Sequence, residues 1–226
     1  MSSSASAVIA DLKAQVQRME GPAARWPMPT HPVLSSLLQL RSGGVYQVAS
    51  PSLAMLLMAG PSSAGAWCAV VGIPQFGIEA ARAIGVRTER VVYVPEVQAD
   101  ELFNVVAALI EAVDVVVLAP ARVTPTQAAR LVARMREKHC LLATWGAWPN
   151  TDARLDWSHV EWRGVGLGHG NLQARRVTLE VHRADRRTGA KRVWFPDVNL
   201  VVREDEPHSG NHTGEGAVAP RLRSVP

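Results

Sequence analysis

The chain has 226 residues, of which 47% are hydrophobic, so it can form one α/β domain with a sizeable core and flanking segments. No run of about 18 apolar residues occurs, and the first residues lack the basic start and apolar stretch of a signal peptide, so neither a transmembrane helix nor a leader is expected. The formal net charge is +4, and only three of the 24 basic residues are lysines; this arginine bias fits phosphate or carboxylate recognition, and equally a genome rich in arginine codons.

The cysteines favour a reducing compartment. Cys68 and Cys140 each lie in an apolar, strand-like run, so both are predicted to be buried free thiols. No spacing of cysteine and histidine resembles a metal site, and no grouping of serine, histidine and acid has the pattern of a catalytic motif. We therefore expect a cytoplasmic protein with no metal, no cofactor, no catalytic residue and no membrane contact.

The first predicted unit, residues 1–22, contains an amphipathic helix. In "SAVIADLKAQVQRME" apolar residues recur at intervals of four, four and three, which places them on one helical face: Val8, Leu12, Val16 and Met19. Gly21 and Pro22 end the helix, and the prolines of residues 23–42 indicate a linker and lead-in. A helix on a linker either docks on its own domain or reaches another chain, and we assign its apolar face to partner binding.

Residues 43–200 are predicted to form the domain. Apolar strands are predicted at 43–48, 66–72, 90–95, 113–120 and 140–146, and helices at 50–60, 76–85, 99–112 and 124–139. Strands that alternate with helices in this way predict a largely parallel, buried central sheet flanked by helices.

Beyond residue 150 the pattern changes to the period of two that half-exposed strands show. "ARLDWSHVEWRG" and "RRVTLEVHRA" predict two antiparallel strands that extend the sheet, and "VWFP" predicts a short third one. The stretch "ADRRTGAKR" between them predicts a turn in which several charges cluster. Residues 201–226 are polar and rich in glycine and proline, which predicts a disordered tail.

The stretch "GPSSAG" at 60–65 has the glycine spacing of a phosphate-binding loop but the opposite context. Such a loop follows a strand and precedes a helix. Here a predicted helix precedes and a predicted strand follows, so Gly60 and Pro61 are predicted to end the helix. The loop's proper position, after "GGVYQV", offers only "ASPS", and Ala119 and Pro120 stand where a Mg²⁺-binding acid would sit. Both parts of an ATP site are therefore missing from the sequence.

The order of these segments resembles the RecA fold. The stretches that carry the resemblance are "VIADLKAQVQRMEG", "HPVLSSLLQLRSGGVYQV", "EAARAIGVRTERVVYVP", "AVDVVVLAP", "AARLVARMREKHCLLATWG" and the later strands, from about residue 6 to residue 197. The segment that corresponds to the phosphate loop of RecA is too short here to form such a loop. The segments "ARVTPTQ" and "AWPNTD" leave little room for the two DNA-binding loops of RecA. The stretches "SLAMLLMAGPSSAGAWCAVVG" and "WRGVGLGHGNLQARRVTLEV" resemble the ImuA family, in particular its actinobacterial ImuA-prime branch.

The ImuA resemblance implies a non-catalytic adaptor in damage-induced (SOS) mutagenesis and translesion DNA synthesis. The partners that it implies are ImuB, a Y-family polymerase homologue, and an error-prone C-family polymerase. Three other hypotheses remain open. The chain could bind RecA through its N-terminal helix, or could inhibit a filament-forming partner, since SulA-like cell-division inhibitors also resemble RecA domains without ATP sites. A residual nucleotide enzyme is the third alternative.

Candidate partner contacts lie in the second half of the chain. Trp145 and Trp148 flank a turn at the carboxyl end of a strand, where ligands and partners of α/β sheets bind. His169 lies at the tip of the glycine-rich "GVGLGHGN", which is predicted to be a hairpin. Trp157 and Trp162 are five residues apart in one predicted strand, which predicts that they lie on opposite faces, one in the core and one at the surface.

The excess of positive charge lies in the predicted extension, since residues 154–192 hold nine basic and four acidic residues. We assign weak, sequence-independent DNA binding to six of the basic residues: Arg175, Arg176, Arg186, Arg187, Lys191 and Arg192. Alternation along the strand predicts that the first two point to opposite faces. The alternative is a solvated sheet edge whose charges discourage pairing with another strand.

Overall fold

The computed structural model describes residues 25–119, 123–165, 170–183 and 186–205. Within these ranges the helices are α1 (Pro32–Ser35), α2 (Pro51–Ser63), α3 (Ile78–Ile84), α4 (Leu102–Ile110) and α5 (Pro125–Lys138), with a 3₁₀ turn at Thr88–Arg90. The strands are β1 (Val45–Val48), β2 (Cys68–Val71), β3 (Val91–Val94), β4 (Val115–Leu118), β5 (Leu141–Trp145), β6 (Ala153–Val165), β7 (Gly170–Arg183), β8 (Arg186–Trp194) and β9 (Arg203–Glu204).

The described strands form one nine-stranded sheet in the order β3-β2-β4-β5-β1-β6-β7-β8-β9. The strands from β3 to β6 pair in parallel, and β7, β8 and β9 add antiparallel strands beyond β6. The predicted α/β class, with a largely parallel sheet that antiparallel strands extend, is confirmed. We call β6 to β9 the extension.

Helices cover both faces of the parallel part, because its strands are apolar on both sides. Alternate residues of β2 show this: Cys68 and Val70 pack with α2 and α3, whereas Ala69 and Val71 pack with α4 and α5. We call these two sides the α2 face and the α5 face. The extension joins the core of the α2 face, through side chains such as Leu179 and Val193.

Helix α2 continues past Gly60 and Pro61, so the prediction that these residues end it is wrong. A proline in a helix removes one backbone N–H and its hydrogen bond, but here the helix keeps its course for two more residues, to Ser63. Glycine at position 60 is explained by packing. A Cβ on it would lie 2.7 Å from the carbonyl oxygen of Pro29 and from the backbone nitrogen of His31, so glycine allows this segment to pack directly on the helix.

Residues 25–42, which the prolines predicted to be a linker and lead-in, pack on the domain. The guanidinium of Arg25 makes two hydrogen bonds of 2.7 and 2.8 Å to the carboxylate of Asp152. Pro27 and Arg41 form an antiparallel bridge, and the segment buries four apolar side chains: Val33, Leu34, Leu38 and Leu40. The helix predicted within residues 1–22, with Val8, Leu12, Val16 and Met19, lies outside the described residues.

A β-bulge in β6 changes which side chains share a face. Ser158 pairs with Thr178, and Glu161 pairs with Arg176. Between these two pairs the chain advances three residues in β6 but only two in β7, so β6 contains one extra residue. Trp157 and Trp162 pair with Leu179 and Arg175, which are four residues apart in β7. Both tryptophans therefore lie on the α2 face, and the prediction of opposite faces is wrong. The accompanying prediction is confirmed, since Trp157 packs against the core and Trp162 is exposed.

The end of the chain also differs from the sequence-based expectation. Residues 186–192, predicted as a turn, belong to β8, which pairs with β7 from Arg186 onward. Val202 is buried and Arg203–Glu204 pair with β8 as β9, so residues 201–205 are packed on the domain rather than part of a tail. Residues 206–226 lie outside the described ranges. Across those ranges, no helix has the length and apolarity to cross a membrane.

Candidate functional site

The connection between β1 and α2 is the position of a nucleotide loop in a fold of this type. Only Ala49 and Ser50 separate the last residue of β1 from the first residue of α2. The amide of Ala49 donates to the carbonyl of Leu155 in β6, and the hydroxyl of Ser50 accepts from the amide of Leu53 as the helix cap. Both residues are thus engaged in joining strand to helix.

A polar cleft of about 620 Å³ opens on the α5 face, between the loop after β5, the first half of β6 and the last residues of β7. Its charged groups are paired with one another. Arg154 contacts Asp156 at 2.8 Å, and Glu180 accepts from Ser158 at 2.7 Å and lies 3.3 Å from His182. The hydrogen bond from Ser158 lowers the pKa of Glu180 and keeps that carboxylate ionised. Glu180 also lies 3.5 Å from Arg187, so both carboxylates of the cleft have an arginine beside them and attract no strongly charged ligand.

The two tryptophans assigned to partner binding both contribute to the cores. Trp145 is half-buried and packs on the α2-face core. Trp148 is only 7% exposed and packs in the α5-face core, where its indole Nε1 has no hydrogen-bond partner among the described residues. His169 lies outside the described residues. The structure therefore places the two tryptophans on opposite faces of the sheet.

The six basic residues assigned to DNA are divided between the two faces of the extension. By their pairing registers, Arg176, Arg187 and Arg192 lie on the α5 face, and Arg175, Arg186 and Lys191 on the α2 face. Arg175 and Arg176 do point to opposite faces, as alternation predicted. Four of the six contact carboxylates: Arg176, Arg187, Lys191 and Arg192.

On the α5 face of the extension, a network of charges surrounds one tryptophan. The guanidinium groups of Arg163, Arg176 and Arg203 lie 5.0, 5.7 and 5.9 Å from the ring of Trp194, which is 8% exposed. Glu161 accepts from Arg176 at 3.0 Å, and this contact lowers the pKa of Glu161. Arg176 and Arg203 are held by carboxylates as well as by the ring, so their charge is compensated locally.

On the α2 face, Arg175 is enclosed by aromatic rings. Its guanidinium carbon lies 4.5 Å from the ring centre of Trp157, 5.2 Å from that of Phe195 and 5.4 Å from that of Trp162. Its Nε–H donates to the carbonyl of Phe195 at 2.7 Å. Burial lowers the pKa of Arg175, which is the direction expected of a cation that is removed from water without a counter-charge.

The sequence pattern did not reveal this cluster. It placed Trp157 and Trp162 on opposite faces, because strict alternation does not allow for a bulge. The residue responsible, His159, adopts a φ of 51°, and no glycine or asparagine marks the position.

No cluster of three or more histidine, cysteine, aspartate or glutamate side chains with the geometry to hold a metal ion occurs in the described ranges. The thiols of Cys68 and Cys140 are free and buried, as predicted.

Comparison with known proteins supplies one family and one relative. A family model described as the MT3502 N-terminal domain matches residues 33–150, which run from α1 through β5. The chain is similar to the uncharacterized protein Rv3395c of Mycobacterium tuberculosis (strain ATCC 25618 / H37Rv), with 38% identity over 107 residues. That alignment covers 46% of this chain and 52% of the relative, so the chain matches about half of the relative's length.

Proposed function

Since the chain belongs to the MT3502 N-terminal domain family, and that name states no activity, we propose its function from its own residues. It is a non-catalytic adaptor on a RecA-like domain that acts in damage-induced mutagenesis and translesion DNA synthesis. It binds ImuB and supports an error-prone C-family polymerase. The partners come from the resemblance of the sequence to the ImuA family.

The observation that carries the proposal is the two-residue connection between β1 and α2. A phosphate-binding loop wraps a triphosphate with several backbone amides and a lysine. Ala49 and Ser50 supply neither the length nor the charge, and the Ser50 side chain already caps the helix. A RecA-like domain with this connection is suited to holding other proteins rather than to hydrolysing nucleotide.

The fold supports the RecA-like interpretation in its general outline. The parallel strands of residues 45–145 are followed by an antiparallel extension, in the chain order that the resemblance implies. The paired charges of the extension also favour protein contacts over strong DNA binding, because counter-ion release needs cations that are free to contact phosphate.

Association with ImuB is the direct test. The full-length chain and ImuB from the same organism are mixed at micromolar concentrations, and the complex is measured by pull-down and isothermal titration calorimetry. We expect a stable complex, and the absence of one contradicts the adaptor function. Overexpression without DNA damage is the companion measurement, since filamentous cells would favour the inhibitor hypothesis.

Nucleotide binding is tested separately with ATP and Mg²⁺ in a thermal denaturation assay. A ligand at 100 times its dissociation constant stabilises the folded state by about 2.7 kcal/mol. We expect no shift in the melting temperature, and a reproducible rise with ATP would identify a residual nucleotide site.

A further inference from the structure

We propose that the α2 face of the extension, around Arg175, is a docking surface for a protein segment that presents a carboxylate side chain flanked by apolar side chains. The surface consists of Arg175, Trp162, Val198, Leu200 and Val201, and we call it the Arg175 surface. The inference rests on the proposed adaptor function and names the site that performs it. It lies beyond residue 150, outside the part of the chain that the family model matches.

The guanidinium of Arg175 is the first observation. It is held over three aromatic rings and donates one hydrogen bond, to a carbonyl rather than to an acid. Arg176, the next residue, contacts both Glu161 and Asp205, whereas no carboxylate of the described residues pairs with Arg175. A partly buried arginine with free donors and no counter-charge is complementary to an incoming carboxylate, which it can bind with two parallel hydrogen bonds.

The second observation is a set of exposed apolar side chains: Trp162, which pairs with Arg175 across β6 and β7, and three aliphatic side chains of the loop that follows Phe195. Trp162 is 49% exposed, and Val198, Leu200 and Val201 are 64%, 60% and 50% exposed. The last three belong to the loop after Phe195, which joins the arginine through its backbone: the amide of Arg175 donates to Pro196 at 2.9 Å. Tryptophan and arginine are enriched in protein-binding hot spots, and the exposed aliphatic side chains can serve as the surrounding contacts that exclude water from them.

The loop holds these side chains outward in a fixed conformation. Asp197, which is only 4% exposed, accepts hydrogen bonds from the amides of Asn199 and Val201 at 2.8 and 3.1 Å and from Arg203 at 2.7 Å. A partner that binds here therefore has little loop ordering to induce, and this favours affinity.

A protein segment fits this surface better than a nucleic acid does. A DNA backbone needs several cations in a row, but Lys191 on the same face is paired with Glu204 at 2.7 Å. Three aliphatic side chains offer nothing to a phosphate. A carboxylate with neighbouring apolar side chains satisfies both the arginine and the apolar rim.

Two substitutions test the surface in the full-length chain, with binding to ImuB measured by isothermal titration calorimetry. Arg175→Gln removes the charge, and Trp162→Ala removes the exposed ring. We expect the dissociation constant to rise about 30-fold for the first, the size of a hot-spot loss, and about 10-fold for the second. Binding of the unchanged chain should weaken as salt increases, and this dependence should be lost in Arg175→Gln.

The chain contains a matched control at the other end of the sheet. Arg90 lies 5.8 Å from the ring of Trp67 and donates to the carbonyl of Gly65 at 2.8 Å, so it repeats the arginine-on-tryptophan geometry elsewhere. Arg90→Gln and Trp67→Ala should leave binding within about threefold of the unchanged chain, because a loss specific to one surface spares the other.

The outcomes separate the two proposals. If the unchanged chain does not bind ImuB, the adaptor function fails and the docking surface falls with it. If it binds and both Arg175→Gln and Trp162→Ala bind equally well, the docking surface alone is overturned. If Arg175→Gln alters the melting temperature, Val198→Glu replaces it in the binding test. This substitution is at an exposed position and places a negative charge that should repel the partner's carboxylate, so it should weaken binding. A loss of single-stranded oligothymidylate binding with intact ImuB binding would make this a nucleic-acid surface and overturn the inference.

Discussion

Replacing Gly60 by alanine should destabilise the protein, although alanine is the better helix former. In an unconstrained helix interior this change stabilises by about 1 kcal/mol. In α2 the added Cβ would lie 2.7 Å from the carbonyl oxygen of Pro29 and 2.8 Å from the carbonyl carbon of Thr30. These are backbone atoms, so the whole segment must move. Overpacking costs about 1–3 kcal/mol, and three backbone atoms within 3 Å of the new Cβ place this site in the upper part of that range, about 2–3 kcal/mol. After the gain in helix propensity, the net effect is a destabilisation of about 1–2 kcal/mol.

The assay is equilibrium unfolding in urea, with the free energy of unfolding taken from the midpoint and slope. For a chain of this size the same loss lowers the melting temperature by about 2–8 °C. Gly189→Ala is the matched control. Its Cβ would meet the Cδ2 of Leu37 at 2.9 Å, the mobile end of a side chain, so its effect should stay within about 0.5 kcal/mol. A Gly60→Ala protein that is as stable as the unchanged chain, or more stable, would refute the close approach of residues 29–31 to α2.

Three further predictions concern ionisation and charge. Burial opposes the charge of Asp152, but hydrogen bonds from Arg25 and from the amide of Val45 outweigh this effect and lower the pKa of the carboxyl group. The ionised carboxylate therefore stabilises the fold above about pH 4, and this contribution is lost as pH falls through the folded-state pKa. Asp152→Asn should cost about 1 kcal/mol at pH 7 in urea unfolding, a modest value because the site is partly solvated, and the difference from the unchanged chain should shrink below pH 4; a difference independent of pH would contradict this. Burial raises the pKa of Cys68 and of Cys140 to about 12, so neither thiol should react with Ellman's reagent at pH 8 in the folded protein and both should react in urea; rapid reaction of the folded protein would show that a thiol is accessible. Binding to DNA, measured by fluorescence anisotropy, should be micromolar at best in low salt and lost near physiological salt. Glutamine at four positions together should remove it: Arg186, Arg187, Lys191 and Arg192. Glutamine is chosen because glutamate would create like-charge pairs with Glu180, Glu204 and Glu161. A four-fold variant that binds DNA as well as the unchanged chain does would move the DNA site elsewhere.

Local patterns predicted the parallel part of the sheet well. The apolar runs at 66–72 and 113–120 become β2 and β4, because a strand buried on both faces needs apolar residues at every position. The Thr124 cap and following proline mark the start of α5, where a capping box with Gln127 forms. These signals are contained within a few neighbouring residues, and the sequence displays them directly.

Features that depend on residues far apart in the chain were not predictable in this way. The prolines of residues 23–42 indicated a break in regular structure, but the partner that fixes Arg25 is Asp152. Gly60 was predicted to end the helix, because the residues next to it in the sequence do not indicate its contact with residues 29–31. The bulge at His159 moved Trp162 to the face of Trp157, and with it created the surface that we propose for docking.

The place of β1 in the middle of the sheet affects how the chain folds during synthesis. Of the described strands, β1 is the first to leave the ribosome, yet both of its neighbours, β5 and β6, come about a hundred residues later. At about 5–20 residues per second, Val45–Val48 and the apolar helix α2 wait about 5–20 s for those partners. A ribosome that stalls before Leu141 would therefore release a chain with an unpaired central strand and exposed apolar side chains, a substrate for chaperones and proteases rather than a partial domain.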